Sequence, residues 1–344
     1  MFFVLQSDWK CVLTAEAPFS PSDIGLILTY QCHSACAHCL YNCGPGWHDW
    51  MTEHDILSAL DVIQNWGHPD YIHITGGEPF LNFPLLLQTV QAASQRGIRC
   101  YVETNAEWCQ EDAVVQECFE ALRAAGLLAI LISCSPFHAV AIPLIRTLRA
   151  IALAMEIFGP HRVIVYLPEF LELIIRFSKE ERVPLERYLD AYGEQPAGLM
   201  FWDGYSLIPG GRSGYRLGNL TLRQPATAFA EQNCRQEILF APVNHFDPYG
   251  NFIPGYCSGL SLGDWHEFDR VRSNYLSRRL PPIIERVVSS GPYGLLTFAQ
   301  NFSGYHELAG GYVGKCHLCV DVRKTLATSG AFPELSPTGF YRAF

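Results

Sequence analysis

"LTYQCHSACAHCLYNC", residues 28–43, places four cysteines in sixteen positions at the end of a short apolar run, "IGLILTY" (24–30). A run of that length bounded by polar residues reads as a buried strand. The thiols therefore fall on the loop that leaves its C-terminal end. Disulfides, a zinc knuckle and an iron–sulfur cluster each account for such a group, and they predict different proteins.

The remainder of the chain narrows the choice. The first residues, "MFFVLQSDWKCVLTAEAP" (1–18), lack the basic start and long apolar core of a secretory signal. No run of about 18 uncharged apolar residues occurs, so no membrane span is expected. A cytoplasmic location follows as the expectation, and in that reducing compartment thirteen cysteines read as metal ligands or buried thiols rather than disulfides. The balance of 24 Lys+Arg against 34 Asp+Glu gives a net charge of −10. Without a basic stripe, that balance argues against a nucleic-acid partner. A length of 344 residues, 49% of them hydrophobic, suffices for one large or two modest domains.

Residues 24–215 alternate short strand-like runs with helical segments. The spacing predicts strands at 24–30 and 71–75 and in "RCYVET", "LLAILISC" and "RVIVYL", with "AGLMFWDGYSL" (197–207) as a sixth. Thr52 and Asp55 stand at capping-box spacing before a helix that Gly67 stops, and Gly97 closes the next. Such alternation argues for parallel βα units, whose loops at the strand C-termini carry chemistry in barrels. After about residue 215 the texture turns to glycine-rich and short β-like pieces. The expected division is an N-terminal extension over 1–22, a parallel βα region over 23–215 that periodicity alone leaves as an open sheet or a barrel, a small α+β domain over 216–330 and a tail over 331–344.

Cys32, Cys36 and Cys39 form C-x3-C-x2-C. Three thiolates on a short loop can grip three irons of a [4Fe–4S] cubane and leave the fourth iron open. On spacing alone zinc remains a rival, with Cys43, His33 or His38 as its fourth ligand. The motif resembles the signature of the radical S-adenosylmethionine (radical SAM) superfamily, although His38 stands where many members have an aromatic. "GGEP" at Gly76, Gly77, Glu78 and Pro79 follows the second strand, where this family contacts the amino group of SAM. The resemblance implies a partial (βα)6 TIM-like barrel. It also implies SAM contacts at Asn105 in "ETN", at Ser133 in "SCS" and at Arg212 in "PGGR" (209–212).

Four further cysteines follow: Cys234, Cys257, Cys316 and Cys319. "HFDPYGNFIPGYC" (245–257) resembles a segment of the SPASM and twitch extensions of radical SAM enzymes. Four thiols suffice for one fully ligated [4Fe–4S] cluster, which matches the shorter, twitch-like form; a four-thiolate zinc site has the same ligand count.

The resemblance implies an enzyme that cleaves SAM reductively to a 5′-deoxyadenosyl radical, which abstracts hydrogen from a substrate. An electron donor such as flavodoxin or ferredoxin belongs to that reading. Modification of a peptide or protein residue is the first expectation; radical chemistry on a nucleotide, sugar or cofactor precursor is the second; a non-catalytic cluster protein is the third. About 23 residues before the barrel are too few for a separate peptide-recognition domain, so a leader-independent substrate or a recognition partner is expected. Cys43 and Cys134 are candidate hydrogen-donor thiols, and His138 is a candidate acid or base. Cys11, Cys100, Cys109 and Cys118 are expected to be small buried residues.

Overall fold

The computed structural model describes residues 18–67 and 69–344; Cys11 and residues 1–17 of the expected N-terminal extension lie outside them. The chain divides into two compact units. One takes in residues 22–36 and 43–192, the other residues 18–21, 37–42 and 193–344. Among the described residues no helix is long and apolar enough to cross a membrane.

The first unit alternates strand and helix: β1 (Asp23–Thr29), α1 (Glu53–Trp66), β2 (Tyr71–Gly76), α2 (Phe83–Gln95), β3 (Cys100–Thr104), α3 (Asp112–Ala124), β4 (Ala129–Ser133), α4 (Pro136–Ala139), α5 (Leu144–Phe158), β5 (Val163–Tyr166), α6 (Glu169–Ile175) and α7 (Glu186–Tyr192). The strands pair in parallel in the order β5-β4-β3-β2-β1. The expected local signals set the helix ends. The Thr52 side chain accepts from the Asp55 amide, Asp55 returns a bond to the Thr52 amide, and Gly67 ends α1 at φ 71.

Period-two alternation gives the sheet two unlike faces. Ile24, Leu26, Leu28, Ile72, Ile74, Val102, Ile130 and Ile132 form one, all of them fully buried, at roughly 1.5–3 kcal/mol each. Asp23, His73, Thr75, Tyr101, Glu103, Leu131 and Ser133 share the other. Here Asp23 bridges two strands. Its Oδ1 lies 2.9 Å from His73 Nδ1, and its Oδ2 accepts from the Tyr101 hydroxyl at 2.9 Å. Farther along, the Thr75 hydroxyl donates to Glu103 Oε2 at 2.6 Å.

The sixth strand expected over 197–207 is absent. That segment is helical, as α8 (Glu194–Leu199) followed by a π-helical turn over Met200–Gly204. Ala197, Phe201 and Tyr205, four residues apart, are buried, and so are Gly198 and Trp202. That is a helix period, hidden in an apolar run too short to be classified by periodicity. The parallel α/β class is as expected; the number of strands is not.

The second unit continues with α9 (Ser213–Arg216), α10 (Arg235–Leu239), an antiparallel hairpin of β6 (Val243–Phe246) and β7 (Phe252–Pro254), α11 (Phe268–Leu276), α12 (Pro282–Ser289), α13 (Gly291–Ser303) and α14 (Lys315–Ala327). Its long C-terminal segment begins at Gly193, so residues 193–215 group with the C-terminal part. Buried Asp247 builds the hairpin turn: its Oδ1 accepts from the amides of Tyr249 and Asn251, both at 2.9 Å. The final stretch is packed by its aromatics, with Phe340 and Tyr341 buried and the Phe340 carbonyl bonded to Asn42 Nδ2 at 2.9 Å.

His73 supplies a test of the polar face. Burial works against its imidazolium, but the charge and hydrogen bond of Asp23 and the charge of Glu103 outweigh it, and its pKa rises to about 9. The stabilisation this represents is fully present below the ordinary histidine value of about 6.5 and is lost as pH rises through about 9. In Asp23→Asn burial acts with less opposition, so an NMR titration of the His73 ring should show a substantial fall in its pKa. The stability cost of Asp23→Asn should be greatest below pH ~6.5 and fade above pH ~9.

Candidate cofactor site

The cysteine loop leaves β1 and returns to it. The Thr29 hydroxyl donates to the Asp49 carbonyl at 2.7 Å, and the amides of Gly44 and Met51 donate to Tyr30 and Leu28 at 3.1 and 2.8 Å. Cys32 is buried, and its amide donates to the Gly44 carbonyl at 3.2 Å; Cys36 is half-buried. Residues 37–42 count with the second unit, where the Cys39 carbonyl accepts from the Arg212 amide at 3.1 Å. Gly211, at φ 54, belongs to that contact: a Cβ there would stand 2.4 Å from the Cys39 carbonyl oxygen. "PGGR" thus meets the cysteine loop through its main chain.

The glycines of "GGEP" make the same kind of contact more tightly. A Cβ on Gly77 would lie 1.8 Å from the Gln31 carbonyl oxygen, and one on Gly76 2.2 Å from that of Thr29. The main chain entering the cysteine loop occupies the space where those side chains would stand. Two hydrogen bonds hold it there, from the Gly77 amide to Thr29 at 2.8 Å and from the Glu78 amide to Gln31 at 2.9 Å. Pro79 then opens a short 3₁₀ turn.

Glu78 is fully buried, with Oε1 accepting from the Thr104 hydroxyl at 3.0 Å and the Phe80 amide at 3.2 Å, and Oε2 from the Asn105 amide at 2.8 Å. Burial raises its pKa to about 7 against the pull of those three donors. Asn105 completes the junction: Oδ1 accepts from the Glu107 amide at 2.8 Å, and Nδ2 donates to Cys32 Sγ at 3.3 Å. Glu107 in turn holds His33 Nε2 at 3.3 Å and Arg146 Nη1 at 2.6 Å. The structure therefore brings Cys32, Glu78 and Asn105 together.

Ser133 ends β4 on the polar face and is half-buried. Cys134 is buried, and burial pushes its thiol up to about 12. His138 Nδ1 lies 2.7 Å from Ser135 Oγ, and burial lowers its pKa to about 4, so at neutral pH it is an uncharged imidazole. Cys43 is buried.

In the second unit Cys234, Cys257, Cys316 and Cys319 form one electrostatic group. Burial raises the thiols of Cys234 and Cys257, and negative charge on the other cysteines raises them further. Two cations stand beside the group. Lys315 bonds the Asn233 carbonyl at 3.0 Å and the Glu237 carboxylate; buried Arg323, on whose charge Cys319 and Cys257 act, bonds the Ser258 carbonyl at 3.0 Å and the Tyr341 hydroxyl at 2.9 Å. Among the described residues no three Cys, His, Asp or Glu converge on one point as a single ion requires. A cubane does not ask for that, because each thiolate binds a different iron. The all-sulfur donor sets, the N–H directed at Cys32 Sγ and the two cations beside the second set all suit iron–sulfur clusters.

Arg323, Lys315, Thr104 and Glu107 were not singled out from sequence. Arg323 had a signal, since it follows Cys319 by four residues and so shares a helix face with it. Thr104 and Glu107 had none beyond lying in or beside "ETN". The glycine contact carries a prediction: Gly77→Ala forces backbone against backbone and should cost about 3 kcal/mol or more, read as a fall in the urea midpoint, while Gly46→Ala, with open space around it, should cost far less.

Residues 26–138 match the family model described as Radical SAM superfamily. The Bacillus subtilis (strain 168) protein YydG, whose name assigns it to peptide biosynthesis, is 23% identical over 116 residues, 34% of this chain and 36% of that protein. Structures of similar outline include anSMEcpe with bound AdoMet (8% identity, 90% of this chain and 97% of that one, TM-score 0.47). BtrN in complex with AdoMet and 2-DOIA is another (13%, 79% and 89%, 0.46). Residues 26–138, with the cysteine loop, the "GGEP" turn and the parallel βα frame that joins them, are a radical SAM domain.

Proposed function

We propose that the protein is a radical SAM enzyme that modifies a peptide or protein residue. The observation that carries the chemistry is the seating of Gly77 and Glu78 on the backbone that leads into Cys32, which joins the two family motifs in one structural element. The peptide substrate is supported by the match to YydG, of whose length the aligned segment spans 36%.

In this reading Cys32, Cys36 and Cys39 hold a [4Fe–4S] cluster, while Gly76, Gly77, Glu78, Pro79, Asn105, Ser133 and Arg212 form the surroundings of SAM. Bound together, cluster and SAM supply a 5′-deoxyadenosyl radical able to abstract hydrogen from the substrate. The chain's own contribution is positional. The "GGEP" turn fixes the loop entrance, Asn105 fixes Cys32, and the Glu107–Arg146 pair braces His33. Cys234, Cys257, Cys316 and Cys319 hold an auxiliary [4Fe–4S] cluster in a twitch-like domain, with Lys315 and Arg323 offsetting its negative charge. Electrons come from a flavodoxin- or ferredoxin-like donor in the cytoplasm.

Anaerobic reconstitution tests the reading. Roughly eight irons per chain are expected in the wild type and about four in Cys316→Ala/Cys319→Ala. With dithionite and SAM, 5′-deoxyadenosine should form in the wild type and not in Cys32→Ala/Cys36→Ala/Cys39→Ala. Deuterium carried into 5′-deoxyadenosine from a labelled peptide would identify the substrate; its appearance only from a labelled small molecule would overturn the peptide assignment.

A further inference from the structure

The Asn105 amide is satisfied from several directions, and the pattern settles which of its atoms faces which neighbour. The Glu107 amide can only donate, so the atom 2.8 Å from it is Oδ1. That leaves Nδ2 directed at Cys32 Sγ, 3.3 Å away. The Asn105 main chain is fixed as well, its amide bound to buried Glu78 at 2.8 Å. Asn105 and Cys32 are both buried, so the contact is largely shielded from water. Asn105 therefore presents a fixed N–H to one sulfur of the cysteine loop, and Glu78 and Glu107 hold it in place.

We propose that Asn105 is a positioning residue that sets the reduction potential of the cluster bound through Cys32. This rests on the reading that Cys32 is a cluster ligand. An N–H donated to a ligand sulfur stabilises the more electron-rich, reduced form, and hydrogen bonds to sulfur are among the determinants of cluster potential. An aspartate would keep the acceptor for the Glu107 amide but place a carboxylate oxygen against the thiolate. Asparagine is the residue of this size that satisfies both neighbours.

The test is a redox titration of reconstituted wild type, Asn105→Ala and Asn105→Asp, followed by EPR on the cluster signal that added SAM perturbs. The alanine variant should be harder to reduce, by about tenfold in the reduction equilibrium, which for one electron is about 59 mV. The aspartate variant should be harder still. That order separates a donated hydrogen bond from mere support, because loss of support would harm alanine more than the isosteric aspartate. Should Asn105→Asp take up no iron, Asn105→Leu is judged in its place by the same drop. Equal potentials across the series, with the wild-type cluster intact, overturn this inference and leave the radical SAM reading standing. A wild type with no SAM-perturbed cluster overturns both.

Discussion

The contact between the Gly77 α-carbon and the Gln31 carbonyl leaves no room for a side chain, and the organisation of the site depends on it. Through it the end of β2 lies against the beginning of the cysteine loop, closely enough for two main-chain hydrogen bonds. Glu78 is thereby carried into the protein, where it meets the end of β3 at Thr104 and Asn105. Asn105 returns the connection to Cys32. Three strand ends that are distant in sequence become one unit, and the first thiol of the loop is held by it.

A buried carboxylate at such a junction is costly, and its surroundings explain how it is tolerated. Three donors converge on Glu78, yet burial still raises its pKa to about 7, so desolvation wins over the hydrogen bonds. The neighbouring wall is apolar: Phe80 stacks on Trp108 with ring centroids 4.1 Å apart, and Trp108 donates its indole N–H to Thr104 at 3.0 Å. Thr104 thus links the carboxylate to that aromatic wall and stiffens the turn after β3.

Much of the frame was legible from local pattern. Apolar runs marked the first five strands, the Thr52–Asp55 box and Gly67 marked the limits of α1, and the cysteine spacing marked the loop that matters. The failure over 197–207 has a definite cause. Ala197, Phe201 and Tyr205 recur at helical spacing, but in a run of eleven residues the same pattern also suits a buried strand. The close approach of main chain to the glycines of "GGEP" is something only the packed structure reveals.

By itself, the sequence determined the thiol-bearing loop after the first strand, the parallel βα frame and the helix ends, because each depends on residues a few positions apart. The tertiary structure decided that Asn105 faces Cys32 across 73 positions, that Glu78 meets Thr104 and Asn105, and that Lys315 and Arg323 stand beside the second set of thiols. Those contacts join residues whose separation carries no period, so they exist only once packing has fixed where each strand end and helix face lies.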